Sequence, residues 1–73
     1  MIDRKIFSDR IKAQRHSKGI TMVDIARALN ISKQSIHQWE AMKTIPSADK
    51  LAELADFLDC SIDYLIGRIN GAE

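Results

Sequence analysis

Lys33, Gln34, Ser35, His37 and Gln38 crowd into the single stretch KQSIHQWE. On a helix, Gln34 and Gln38 stand one turn apart on the same face, so both amides project in one direction. A glutamine amide carries one acceptor and one donor, which matches the edge that adenine presents in the major groove. A lysine can donate to guanine. Lys33 and Gln34 open the helix, the end that meets base edges when a recognition helix enters the groove. Ser35 and His37 flank that face. The residue types therefore fit hydrogen bonding to base pairs.

Catalysis fits them less well. His16 and His37 have no metal-ligand spacing with each other or with Cys60, and there is no glycine-rich phosphate loop. Ser35 precedes His37 by two positions, which diverge on a helix and cannot form a catalytic pair. Cys60 is the single cysteine, so neither an internal disulfide nor a cysteine metal cluster is available. No enzymatic activity, metal or cofactor is expected, and Trp39 is expected in the core.

The elements that must position these residues can be read from capping signals. Thr21 to Glu40 reads as two short helices joined by a tight turn. The Thr21 hydroxyl can accept from the Asp24 amide, and the Asp24 carboxylate suits the positive end of a helix. Ile25, Ala26 and Leu29 form an apolar stripe, and Asn30 tolerates the left-handed conformation that ends a helix. Ser32 caps the second helix, which turns Ile36 and Trp39 inward. The same start signal, a capping residue with an apolar staple on either side, recurs at Ile2-Asp3-Phe7, Ile20-Thr21-Ile25, Ile31-Ser32-Ile36, Pro46-Ser47-Leu51 and Cys60-Ser61-Leu65. Helices are predicted over roughly 4–18, 22–29, 33–40, 48–58 and 62–67. No useful period-two alternation appears, so the fold class is all-α, with a helix-turn-helix at the second and third helices.

Read in order, Arg15, Gly19 with Thr21, Ile25-Ala26, Leu29 with Ile31-Ser32, Ile36 with Trp39-Glu40, Pro46, Leu54-Ala55, and Ser61-Ile62-Asp63-Tyr64-Leu65 with Gly67 make a pattern. It resembles the helix-turn-helix domain of the phage lambda repressor and Cro superfamily, also called XRE-like, over roughly residues 5–68. The resemblance implies a compact five-helix domain that binds double-stranded DNA as a transcriptional regulator. It also implies an ion pair between Arg15 and Glu40, tying the first helix to the end of the third. Phosphate contacts are implied for Arg10, Thr21, Met22, Lys43 and Thr44. The chain departs from the family at several of these places. Met22 replaces a glutamine that contacts phosphate, leaving its backbone amide to serve. Ala41-Met42 stands where Asn-Gly is common, Gln14 where leucine is, and Asp59 where a glycine stop is usual.

Composition agrees with one small folded domain over 1–69 and a frayed tail at 70–73. Hydrophobic residues make up 45% of the 73-residue chain, and its apolar runs are too short for a membrane span. No signal peptide is expected, nor a second C-terminal dimerisation domain. A cytoplasmic location is implied by the resemblance. The net charge of +1 conceals an asymmetry: residues 1–43 carry 9 Lys/Arg against 4 Asp/Glu, and residues 44–73 carry 2 against 6. The helix-turn-helix lies in the positive half, which predicts a basic face toward phosphates. A chain this short buries only about 60% of its unfolded surface, so a homodimer would help. Phe57, Tyr64 and Ile66 are the apolar surplus expected at its two-fold interface. The reading is a dimeric repressor or Cro-like protein on a palindromic operator. An antitoxin with a toxin partner, a restriction–modification controller, or an interaction module that has lost DNA binding share the fold and remain alternatives.

Overall fold

Five side-chain oxygens start five helices. Asp3, Thr21, Ser32, Ser47 and Ser61 hold extended backbone, and each accepts from an amide two or three residues on. There follow α1 (Arg4–Lys18), α2 (Met22–Leu29), α3 (Lys33–Glu40), α4 (Ala48–Leu58) and α5 (Ile62–Leu65). The computed structural model describes residues 2–70, and no strand occurs among them. Of the expected tail, Asn70 is an exposed bend and residues 71–73 lie outside the described residues.

All five helices also stop in one way. A residue with left-handed backbone follows each: Gly19 (φ 67°), Asn30 (φ 55°), Met42 (φ 63°), Asp59 (φ 56°) and Gly67 (φ 88°). The next amide then reaches back five residues, as from Ile20 to the Arg15 carbonyl and from Arg68 to that of Asp63, both 2.8 Å. The last helix is shorter than the predicted 62–67. Gly67 turns the chain there, and a Cβ at that position would lie 2.9 Å from Cγ2 of Ile6. The close approach of α5 to α1 therefore requires glycine as well as the turn does.

The core takes Phe7 and Ile11 from α1, Ile25, Ala26 and Leu29 from α2, Ile36 and Trp39 from α3, Leu51, Leu54, Ala55 and Leu58 from α4, and Leu65 from α5. The rings of Phe7 and Trp39 pack with centroids 6.4 Å apart, tilted by 59°, and fasten α1 to α3. Helix α2 packs on α3 and α4, while α1 packs on α3 and α5. Trp39 is buried, as expected of a core residue.

Side chains remote in sequence close the carbonyl ends of four helices. Lys50 Nζ donates to the Leu29 carbonyl at the end of α2 (2.9 Å), and Lys18 Nζ donates to that of Leu58 at the end of α4. Ser8, buried on α1, donates to the Glu40 carbonyl at the end of α3 (2.6 Å). Arg10 donates to the Tyr64 carbonyl at the end of α5 (2.6 Å). Cations and hydroxyls satisfy carbonyls that have no partner inside their own helix, and positive charge suits that end of the dipole.

The apolar surplus of α5 is smaller than the sequence implied. Tyr64 and Ile66 are half-buried against their own core, and the Arg10 guanidinium lies 4.5 Å from the Tyr64 ring centroid. Ile62, Phe57 and Ile69 remain exposed.

Candidate nucleic-acid interface

Helix α3 reaches the surface through the geometry of α2 and the turn. At the start of α2, Thr21 Oγ1 accepts from the Asp24 amide (3.1 Å) while Asp24 accepts from the Thr21 amide (2.9 Å). Hydrogen bonds to the Thr21 backbone and side chain hold the Asp24 carboxyl below its ordinary pKa. Asn30 then turns the chain, with the Ile31 amide on the Ala26 carbonyl (3.0 Å), and Ser32 restarts it as α3. Ile36, Trp39 and Glu40 bury one side of α3. The opposite side faces solvent.

On that side Lys33, Gln34 and His37 are exposed, and Gln38 is half-buried. Lys33 and His37 form one row along the helix, and Gln34 and Gln38 form the next. Ser35 is drawn off the face: its hydroxyl lies 3.2 Å from that of Ser32, so it shares the cap. Polar side chains with no partner among the described residues thus line the outward surface of α3, as hydrogen bonding to base edges demands.

The far end of α3 is braced. Arg15 makes a bidentate pair with Glu40, Nε to Oε2 at 2.8 Å and Nη2 to Oε1 at 3.0 Å, and both side chains are largely buried. The hydrogen bond to Glu40 raises the guanidinium's pKa above its usual value. Arg15 Nη1 also donates to the Ile20 carbonyl (3.4 Å), so one side chain joins α1, the approach to α2 and the end of α3. Beyond α3, Ala41, Met42, Lys43 and Thr44 are exposed. Met42 takes the positive φ for which glycine is better suited, and its neighbour is pinned from both sides. The Lys43 amide donates to Gln38, and the Lys43 carbonyl accepts from Arg4 Nη1 at 2.9 Å. The Lys43 and Thr44 side chains therefore project from a loop of defined shape.

Of the residues expected at phosphates, Thr21, Lys43 and Thr44 are exposed and Met22 is half-buried. Arg10 is engaged inside the domain. Its guanidinium donates to the carbonyls of Tyr64 and Ile69 and covers the Tyr64 ring, so it closes the C-terminal end of the fold. Carbonyls at the end of α5 compete for an arginine that the resemblance assigns to phosphate. Other cations of the basic half are engaged in the same way. Arg4, Lys5, Arg10, Arg15 and Lys18 all have partners inside the domain, while Lys12, Arg27, Lys33 and Lys43 have none among the described residues. Sequence reasoning passed over Lys12, which borders a cleft of about 220 Å³ with Met22, His37, Glu40 and Ala41. Its signal was available: Lys12 lies one turn before Arg15 on α1.

A family model for the helix-turn-helix matches residues 11–65, from mid-α1 through α5. This chain belongs to the helix-turn-helix family. Relatives of the domain carry the names of regulators. It is 36% identical over 64 residues to the uncharacterized HTH-type transcriptional regulator YazB of Bacillus subtilis, covering 88% of this chain and 93% of that protein. It is 31% identical over 65 residues to repressor protein C2 of Salmonella phage P22, covering 89% of this chain and 30% of that one. It is 33% identical over 60 residues to the cryptic phage CTXphi transcriptional repressor RstR of Vibrio cholerae, covering 82% and 54%. The domain thus spans about half or less of the length of the latter two. It is a DNA-binding domain of the transcriptional-regulator type, with α2 and α3 as its helix-turn-helix. No described helix is long and apolar enough to cross a membrane.

Proposed function

We propose that this domain represses transcription by binding a palindromic operator as a homodimer, with α3 of each copy in the major groove. The observation that carries the reading is the outward pair Gln34 and Gln38, presented on a helix whose far end is locked by the Arg15–Glu40 pair. A rigid helix holds both amides in a fixed register, which bidentate reading of bases needs. Lys33 extends the reading set, with His37 at its flank and Ser35 turned back to the cap. Lys43, Thr44, Thr21 and the Met22 amide supply phosphate contacts. The names of the phage relatives support repression. The exposed Phe57 and Ile62, continued by the partly covered Tyr64 and Ile66, supply the two-fold contact.

Selection of bound fragments from random DNA, followed by competition binding on single-base variants, tests the readout. Gln34→Ala should cost ~1–3 kcal/mol on the best site and relax preference at one base pair. An unchanged preference profile removes Gln34 from the reading set. Sedimentation should show dimers on the selected fragment, and Ile62→Asp should favour monomers that remain folded. Wild-type monomers on DNA at high concentration would overturn the dimer.

A further inference from the structure

Lys12 is half-buried on α1, yet its ammonium has no hydrogen-bonding or ion-pair partner among the described residues. Two carboxylates in its neighbourhood are already engaged. Asp9 is held by Lys5 at 2.9 Å, although Lys12 also contributes to lowering its pKa. Glu40 takes both of its hydrogen bonds from Arg15. Lys12 instead borders the cleft of about 220 Å³ whose other walls are Met22 from α2, and His37, Glu40 and Ala41 from α3 and its end. With Glu40 neutralised by Arg15, the cleft is left with one uncompensated positive charge and the imidazole of His37. His37 belongs to the same outward row of α3 as Lys33, so the cleft opens beside the base-reading face.

We propose that this cleft receives a backbone phosphate of the DNA strand flanking α3, held by the Lys12 ammonium with His37 as a second donor. The assignment rests on the DNA-binding reading above and refines it. It makes α1 part of the interface and moves His37 from base reading to backbone positioning. The half-burial of Lys12 matters, because a side chain held against the fold presents its charge at a defined place, and without an internal anion that charge is open to an external one. The contact fixes how deeply α3 enters the groove without reading sequence.

The salt dependence of binding tests this without knowledge of the operator. The probe is a labelled random-sequence duplex of about 30 base pairs, three turns of the helix. Each neutralised phosphate contributes about 0.9 to the slope of log affinity against log salt. Lys12→Gln should therefore lower the slope by about one. The loss of affinity between 50 and 200 mM salt should become about 3-fold shallower, those two concentrations being where the salt effect is usually compared. Lys12→Arg should restore it, and Lys5→Gln, whose ammonium is held by Asp9, should leave it unchanged. On a selected fragment the base-preference profile of Lys12→Gln should match the wild type. If Lys12→Gln unfolds, Lys12→Met keeps the aliphatic stem and gives the same readout. Wild-type slope in the Lys12 variants, alongside a lowered slope in Lys43→Gln, would overturn this site and leave the DNA-binding reading intact. Absence of salt-dependent binding by the wild type would overturn both.

Discussion

Arg10 and Arg15 lie five residues apart on α1 and hold opposite ends of the molecule by different means. Five helical positions rotate a side chain by about 140°, so the two guanidiniums leave α1 on different faces. At the helix-turn-helix end, Arg15 meets a carboxylate, Glu40, in a bidentate and largely buried pair. At the C-terminal end, Arg10 meets carbonyls and an aromatic ring instead. The first arrangement satisfies two charges at once, and losing either partner strands the other. The second uses one charge against dipoles and a quadrupole, and losing it strands none. A charge-to-charge brace is therefore brittle where a charge-to-dipole clasp yields gradually. The brittle one stands under the recognition helix, where displacement would cost function.

Glu40→Ala should cost ~3–5 kcal/mol in urea unfolding, because it leaves Arg15 charged and largely buried. Arg15→Ala should cost a similar amount, and the double mutant should lose clearly less than their sum. Additive losses would mean that the two residues act independently.

Arg10→Ala should cost less, about 1–2 kcal/mol, from two charge-assisted hydrogen bonds and a cation–π contact that are partly solvated. It should leave the salt slope of DNA binding unchanged. A slope lowered by about one would show that Arg10 reaches a phosphate after all, and the division of labour between the two arginines would fail.

The smallest effect concerns the cap of α2. The folded-state pKa of Asp24 lies below its unfolded value, so its contribution is fully present above about pH 4 and is lost as pH falls through the folded value. Asp24→Asn should therefore lower stability slightly at neutral pH, and the difference from wild type should vanish in acid. A gap that persists once the pH has fallen well below the folded value would trace the loss to something other than the carboxylate's charge.

Much of the architecture was legible because helix starts are local. A capping oxygen and the amide it serves are two or three residues apart, so Asp3, Thr21, Ser32, Ser47 and Ser61 announce all five helices. Stops at Gly19 and Asn30 are equally local. The outward polar face of α3 follows from the spacing of Ile36 and Trp39. Arg15 and Glu40, 25 residues apart, could be paired in advance only through the family resemblance.

What tertiary structure alone decided is where the remaining cations of the basic half go. Arg10, Lys18 and Arg4 find carbonyls 54, 40 and 39 residues away, and Ser8 finds one 32 residues away. Every residue has a carbonyl, so such a partner leaves no mark in the sequence, whereas a carboxylate does. The same holds for the early end of α5. Gly67 can turn the chain from its own backbone freedom, but the approach of Ile6 that excludes a Cβ there exists only once α1 and α5 have packed. The chain order determines which groups need partners. Packing determines which partners come within reach, because hydrogen bonds and ion pairs act over a few ångströms and helix spacing extends that reach by only one turn.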